Sequence, residues 1–260
     1  MRKLLFGAAA LLLAGCATGP RFDDTYRSDG HRSRVRALVI HYTVADFDAT
    51  MRIMKRGEAT YHYVIGANPP TVYRIVDEDR AAFHAGRSSW RGYTNLNESS
   101  IGISLINRGS GGDEPSGEIG DWEEYSPAQL DVAIQLVKDI VNRHLIRPEF
   151  VLGHSDIAPQ RKVDPGPRFP WKRLADEGLI PWPDAAEVAR RLPAFQANLP
   201  DVLWFQDRLA AHGFVVPLSG ILEGETQRVI AAFQMKYRPA RYDGVPDAET
   251  AAMLDVLTGR

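Results

Sequence analysis

Short apolar runs bounded by turn residues recur between positions 36 and 153. Five of these runs predict strands, at 36–43, 61–66, 71–77, 100–107 and 149–153. The first run is apolar along most of its length, as expected of a strand that is buried on both faces. Asn68, Pro69 and Pro70 lie between the second run and the third, and this turn signal predicts that the two strands form a hairpin.

Two segments between these runs show helical periodicity instead. Apolar side chains recur at helical spacing from Phe47 until the pattern stops at Gly57. Ser126 and Pro127 form an N-cap and a first helical position, and one apolar face then continues to Leu145. This order of strands and helices predicts an α/β fold, with a mixed central sheet flanked by helices.

The remaining segments differ in character from these elements. Residues 108–124 are rich in glycine and acidic side chains, which is typical of a surface loop; it could form the rim of a cleft or a simple insertion. Proline-containing residues 181–200 predict a linker. Residues 201–260 hold three short amphipathic segments, which predict a small three-helix domain.

The N-terminus has the pattern of an export signal. Arg2 and Lys3 precede an apolar run over 4–13, which is shorter than the roughly 20 residues that span a bilayer. The run ends in Leu-Ala-Gly-Cys16, which resembles the lipobox of bacterial lipoproteins. This resemblance implies cleavage before Cys16 and acylation of that residue, which would anchor the chain stably. The alternative is an ordinary signal peptide with an incidental cysteine.

Composition narrows the possible partners and locations. The chain has 31 Lys and Arg against 33 Asp and Glu, and these charges are interspersed, so no basic stripe favours a nucleic acid partner. Cys16 is the only cysteine, so a lipid on it would leave no disulfide. Residues 17–34 are polar and predict a tether. Since Ala17 rather than an aspartate follows Cys16, we expect the periplasmic face of the outer membrane in a Gram-negative source.

Candidate metal chemistry is concentrated in the stretch that follows the last predicted strand. His154 and Asp164 lie there, with Lys162 two residues before the carboxylate, and His41 ends the first apolar run. Imidazole and carboxylate are both zinc ligands, and three of them leave a fourth position open for catalysis. A cation such as Lys162 beside the metal could stabilise a developing oxyanion.

Five segments, in order, resemble the zinc-dependent N-acetylmuramoyl-L-alanine amidases, a family that includes phage T7-type amidases and animal peptidoglycan recognition proteins. They are residues 40–43, 61–65, 83–86, 97–103 and 153–171. The resemblance, which is nearest to the bacterial lipoprotein form, implies that Zn²⁺ binds to His41, His154 and Asp164, with Lys162 beside it. It also implies hydrolysis of the amide between N-acetylmuramic acid and L-alanine.

One position departs from the bacterial pattern. Ser104 stands where bacterial members have a glutamate that acts on the water, and a serine is no general base near neutral pH. Phage and animal members use a tyrosine, whose position is occupied here by Tyr61. A phenol near a dication could orient the water, although Tyr61 could also be a core aromatic. Glu98 is the alternative candidate for the general base, although we expect it to be a solvated surface residue.

Two further histidines need a role. Adjacent strand residues point to opposite faces, so His62 is expected to be structural if Tyr61 faces the cleft. His84 matches a cleft-lining histidine of the family, and we expect it to contact substrate.

The C-terminal residues carry a second resemblance. Motifs around Trp204, Phe233 and Gly244 are similar to those of the peptidoglycan-binding domain type 1, a three-helix module found beside wall hydrolases. A helical bundle that serves only as a packing partner is the alternative reading.

Together these patterns predict five regions. They are a signal peptide with lipobox at 1–16, a tether at 17–34, a zinc amidase domain at 35–180, a linker at 181–200 and a peptidoglycan-binding domain at 201–260. The expected partners are peptidoglycan or muropeptides and a membrane reached through Cys16, and the chain is expected to be a monomer. A non-catalytic muropeptide receptor, or a zinc peptidase or other amidase on the same scaffold, remains an alternative function.

Overall fold

The computed structural model describes residues 22–110 and 121–259. Residues 33–259 form one compact unit, and residues 22–32 belong to a separate one. Residues 22–32 contain no helix or strand. Within the described ranges no helix is long and apolar enough to cross a bilayer. The predicted signal peptide and lipobox at 1–16 lie outside the described residues, as does most of the predicted loop at 108–124.

A mixed five-stranded sheet lies at the centre of the larger unit. Its strands are β1 (Ala37–Tyr42), β2 (Tyr63–Ile65), β3 (Val72–Arg74), β6 (Ser100–Leu105) and β7 (Val151–Gly153). A separate two-stranded hairpin is formed by β4 (Ser89–Trp90) and β5 (Tyr93–Thr94). Their order in the sheet is β3-β2-β6-β1-β7. β2, β6, β1 and β7 run parallel, and β3 is antiparallel to β2. The five predicted strands and the hairpin are present, although each strand is shorter than its apolar run.

Eight α-helices accompany the sheet in the described part of the chain. They are α1 (Phe47–Arg56), α2 (Pro127–His144), α3 (His154–Ile157), α4 (Trp171–Asp176), α5 (Ala185–Ala197), α6 (Val202–His212), α7 (Gly224–Tyr237) and α8 (Ala248–Thr258). The predicted helix boundaries are accurate where capping signals are local. Gly57 ends α1 with a positive φ of 76°, and the Ser126 hydroxyl accepts the Gln129 backbone N–H at 3.2 Å.

The segment expected to be a linker differs from its prediction, because most of it is helix α5. Asp184 caps this helix by accepting the backbone N–H of Glu187 at 2.9 Å. Arg191 on α5 forms an ion pair with Asp255 on α8 at 2.6 Å, and Phe195 packs against Trp204. These tertiary contacts stabilise a helix that carries an internal proline, Pro193.

The C-terminal helices share one hydrophobic core with the sheet. Trp90 on β4 packs edge-to-face on Phe214, which follows α6, at 5.1 Å between ring centroids. Trp182 similarly contacts Tyr237 at the end of α7. Both Trp90 and Phe214 are buried, so the three predicted helices pack directly on the sheet half of the unit.

Candidate metal centre and cleft

Strand register brings two of the predicted ligands together. β1 and β7 are parallel neighbours in which Ile40 is aligned with Gly153. His41, the penultimate residue of β1, therefore lies beside His154, which follows β7 and begins α3. The carboxyl ends of adjacent parallel strands form an edge where ligands commonly bind, and the apolar strands hold both imidazoles there.

Asp164 completes the group through a backbone contact. The Ser155 N–H donates to the Asp164 carbonyl at 2.9 Å, which folds the loop back onto α3. Asp164 Oδ2 then lies 2.9 Å from His41 Nδ1 and 3.1 Å from His154 Nδ1. The two Nδ1 atoms are 3.1 Å apart. Among the described residues, this buried trio is the one group of three or more His, Cys, Asp or Glu side chains that could hold a metal ion.

Burial and mutual proximity set the charge states of His41 and Asp164. Burial, followed by the nearby His154 ring, lowers the pKa of His41 to about 4, so this imidazole is neutral near pH 7. Burial alone would raise the pKa of Asp164, but the adjacent His154 and His41 rings hold it well below its usual range. Neutral imidazoles and an ionised carboxylate are the protonation states that a divalent metal requires.

A chain of hydrogen bonds behind His41 determines which of its nitrogens is free. The Ser100 hydroxyl donates to the Leu96 carbonyl, so it accepts from His84 Nε2 at 3.2 Å. His84 Nδ1 can then accept from His41 Nε2, which lies 3.1 Å away. This ordering leaves the lone pair of His41 Nδ1 directed at His154 and Asp164.

The second imidazole is oriented in a similar way. His154 Nε2 lies 3.3 Å from the Ala85 carbonyl oxygen and donates to it. Arg161 also donates to the Ala85 carbonyl and to the Arg87 carbonyl at 2.9 Å, which fixes this loop around His154. His154 Nδ1 is therefore the nitrogen presented to the other two ligands.

His154 and Asp164 line a cleft of about 310 Å³, and His41 is fully buried beside them. Predicted and unpredicted residues line it together; they include Tyr61, Phe83, His84, Arg161, Lys162 and Asp164. The ring of Tyr61 lies 5.0 Å from that of His41, centroid to centroid. The cleft thus combines two of the three ligands with a phenol, two cations and the exposed ring of Phe83.

Other sequence candidates lie outside this cleft. His62 is fully buried, accepting the Gly102 N–H at 2.9 Å and donating to the Arg80 carbonyl at 3.1 Å, so it is structural. Glu98 is exposed on a 3₁₀ turn and does not line the cleft. Ser104 is buried beside His41 in the strand register, and its hydroxyl has no hydrogen-bond partner among the described residues.

The sequence did not predict the roles of several residues that support the metal ligands. Ser100, Ala85 and Arg161 act through hydrogen bonds to residues distant in the chain, and nothing in their local pattern marks them. Gly102 could have been recognised as a close-approach glycine. A Cβ at this position would lie 2.5 Å from Cγ of His84, so only glycine allows the imidazole to pack on β6.

Sequence profiles of two families match the chain. That of the N-acetylmuramoyl-L-alanine amidases matches residues 31–167, which include the whole ligand trio. The chain belongs to the N-acetylmuramoyl-L-alanine amidase family. The profile of a peptidoglycan binding domain matches residues 198–254 of this amidase.

Individual relatives agree with this membership over nearly the full length. The N-acetylmuramoyl-L-alanine amidase AmiD of Escherichia coli (strain K12) is 42% identical over 265 residues, which cover 96% of this amidase and 95% of AmiD. A structure of E. coli AmiD with anhydro-N-acetylmuramic acid-L-Ala-D-gamma-Glu-L-Lys matches with a TM-score of 0.80 and 39% identity, covering 92% and 94% of the two chains.

A second solved structure gives the same result. Pseudomonas aeruginosa AmpDh3 in complex with anhydromuramic pentapeptide matches with a TM-score of 0.81 and 33% identity, and covers 92% of this amidase and 97% of AmpDh3. The predicted family, fold class and amidase activity are confirmed. Cys16, the predicted lipidation site, lies outside the described residues.

Proposed function

We propose that this amidase hydrolyses the bond between N-acetylmuramic acid and L-alanine in peptidoglycan or muropeptides, in cell-wall turnover, with Zn²⁺ held by His41, His154 and Asp164. The observation that carries this proposal is the convergence of three buried ligand atoms at a cleft. The muropeptide bound to the related AmiD structure supports the substrate class.

The donor set fits zinc. Two imidazole nitrogens and one carboxylate oxygen are a ligand set typical of catalytic zinc sites. Three protein ligands leave the fourth position for water or substrate. Each imidazole also has its second nitrogen engaged, by His84 and by the Ala85 carbonyl respectively, as zinc-binding histidines usually do. When bound, zinc supplies Lewis-acid polarisation of the substrate carbonyl and lowers the pKa of a water toward 7.

Lys162 and Tyr61 would act on the reacting amide from the walls of the cleft. The Lys162 ammonium would stabilise the carbonyl oxygen as it becomes negative, because it places positive charge at the wall of the cleft. Tyr61 Oη would hold and orient the attacking water, and the proton that this water loses on attack would be relayed through the Tyr61 hydroxyl to the leaving amine. Ser104 offers no ionisable group for this task near pH 7.

His84 would support the metal ligands rather than bind substrate through hydrogen bonds. Both of its ring nitrogens are occupied, one by His41 and the other by Ser100. Burial, followed by the neighbouring His41, holds the pKa of His84 well below its ordinary value, so the ring stays neutral. Only its ring edge remains for contact with a muropeptide in the cleft.

Residues outside the catalytic half would deliver the enzyme to its substrate. We propose that residues 201–260 bind peptidoglycan. We also propose that residues 17–34 tether the enzyme to a lipid on Cys16, at the periplasmic face of the outer membrane. The enzyme would be a monomer and would not bind nucleic acid. The match of a peptidoglycan binding domain over 198–254 supports the first part. The Leu-Ala-Gly-Cys16 sequence supports the second.

Digestion of purified sacculi and of a soluble anhydro-muropeptide tests the reaction. Zinc-loaded wild type should release free stem peptides with a new L-alanine amino terminus, identified by mass spectrometry. His154→Ala should lose both the bound zinc and the products. A zinc-loaded wild type that binds muropeptides tightly without cleaving them would instead support the receptor function.

The anchor has a separate test. Cys16→Ala, expressed in a Gram-negative host, should move the protein from the membrane fraction to the soluble fraction. A variant that remains with membranes would contradict lipidation at this residue.

A further inference from the structure

Helix α7, from the C-terminal helices, contacts the segment that carries most of the candidate catalytic groups. This segment is residues 154–164, which we call the ligand segment; it includes His154, Lys162 and Asp164. Two side chains in it, Asp156 and Gln160, bond to α7. Neither contact is required by the peptidoglycan binding proposed for the C-terminal helices.

The first contact is a buried ion pair. Lys236 Nζ lies 2.6 Å from Asp156 Oδ2, and the two side chains are 5% and 1% exposed. The same oxygen accepts the Gly153 N–H at 2.8 Å, while Lys236 also donates to the Val151 carbonyl at 3.3 Å. The ammonium therefore links α7 both to the start of β7 and to the turn that begins with His154. A buried pair with this many partners has one favourable geometry, because any displacement leaves a charge unpaired.

The second contact lies at the other end of α7. Arg228 Nε donates to Gln160 Oε1 at 2.8 Å, and Gln160 Nε2 donates to the Glu225 carbonyl at 3.1 Å. Gln160 is two residues before Lys162 and four before Asp164. At 1.5 Å per residue, Glu225 and Lys236 are roughly 16 Å apart along the helix, so α7 holds the ligand segment at two distant points.

We propose that Lys236 and Arg228 are positioning residues for the catalytic site. Through Asp156, Lys236 sets the place of His154, and through Gln160, Arg228 sets the loop that carries Lys162 and Asp164. The C-terminal helices are thus part of the catalytic apparatus as well as a binding module. This inference rests on the proposed function only in taking the trio to be a zinc site.

Zinc affinity of the full-length protein is the first test. Lys236→Met keeps most of the apolar stem but removes the ammonium, whose Nζ lies 4.3 Å from the centroid of the Trp171 ring. Loss of a group that orients a zinc ligand typically costs about 10–100-fold in metal affinity or activity. We expect that loss in a chelator competition titration, with an altered visible absorption spectrum when Co²⁺ replaces zinc.

Arg228→Met should affect catalysis more than metal binding. With a soluble anhydro-muropeptide, kcat should fall while KM stays near the wild-type value, because Lys162 is displaced from the reacting carbonyl. Wild-type kcat in Arg228→Met would overturn the assignment of this residue.

Two controls separate positioning from general stability. Arg191→Met breaks the ion pair with Asp255, which joins α5 to α8 and does not contact the ligand segment; its zinc affinity should equal that of wild type. The double variant Lys236→Met with Asp156→Asn keeps an acceptor for the Gly153 N–H and leaves no unpaired buried charge. It should fold and still bind zinc weakly.

The outcomes distinguish this inference from the proposed function. A wild type that fails to bind zinc or to cleave muropeptides would refute the proposed function. A wild type that does both, alongside a double variant with the wild-type zinc affinity and Co²⁺ spectrum, would refute the positioning role and leave the proposed function intact. If Lys236→Met alone does not fold, the zinc affinity of the double variant still tests the positioning role of Lys236.

Discussion

At the scale of single residues, position 104 limits the proton transfers that the cleft can support. Ser104 is buried beside His41, and its Oγ has no hydrogen-bond partner in the described part of the chain. It has no charge to gain or lose near pH 7. Tyr61, whose ring is 5.0 Å from that of His41, lines the cleft and carries a hydroxyl.

Tyr61→Phe tests this assignment because it keeps the ring and removes only the hydroxyl. A positioned proton-transfer group is typically worth about 10²–10⁴-fold in rate. We expect a loss of kcat in that range with zinc still bound, and a comparable loss for Lys162→Ala through weaker oxyanion stabilisation. Glu98→Gln, at an exposed residue outside the cleft, is the control and should lower kcat only slightly. A wild-type rate in Tyr61→Phe together with collapse in Glu98→Gln would reverse the assignment.

At the scale of elements, strand β6 pairs with β1, the strand that carries His41. Gly102 and Ser104 lie on the same face of β6, since side chains two residues apart share a face. Gly102 allows the His84 ring to reach both Ser100 and His41, and Ser104 lies next to His41 in the register. Substitutions at these two positions should therefore differ sharply in effect.

Gly102→Ala should weaken zinc binding. The added methyl would come within 2.5 Å of the His84 ring, which has no room to yield without losing its bond to His41. We expect about a 10–100-fold loss of zinc affinity, measured by chelator competition. Ser104→Ala is the matched control on the same strand; removing an unpaired buried hydroxyl should leave zinc affinity unchanged and stability equal or higher. Equal zinc affinities for the two variants would contradict this account of β6.

At the scale of the whole molecule, the packing of the C-terminal helices on the sheet encloses a neutral histidine. His212 at the end of α6 is ringed by Trp90, Phe233 and Tyr237, and Tyr237 Oη lies 3.2 Å from its Nε2. Burial, followed by the charge of Lys236, lowers the pKa of His212 to about 3. Protonation of His212 therefore opposes folding.

The pH dependence of unfolding should reveal this histidine. Unfolded His212 binds a proton below about pH 6.5, whereas the folded residue does so only near pH 3. The free energy of unfolding should therefore fall as pH is lowered through this window, by at most about 1.4 kcal/mol per pH unit for one group. Denaturant titrations in EDTA at pH 7 and pH 4.5 should show a smaller fall in His212→Gln than in wild type. The other histidines contribute to both proteins, so identical falls would count against His212.

Local signals account for the parts of the fold and site that the sequence predicted. The cap at Ser126, the stop at Gly57 and the proline-rich turn before β3 depend on residues a few positions apart, and so could be recognised in the chain itself. The candidate ligands were recognisable because His41 and His154 each follow an apolar run, and because residues 153–171, which include Asp164, resemble the amidase family. The order of elements then placed them at one edge of the sheet.

What the tertiary structure alone decided depends on contacts between residues far apart in the chain. The His41–His84–Ser100 hydrogen bonds, helix α5 in place of a linker, and the pairing of Lys236 with Asp156 across 80 residues have no local signature. Serine, lysine and aspartate are common on surfaces, and their sequence neighbours do not reveal which ones are buried. Their roles appear only when packing removes water and each polar atom must find its partner inside the protein.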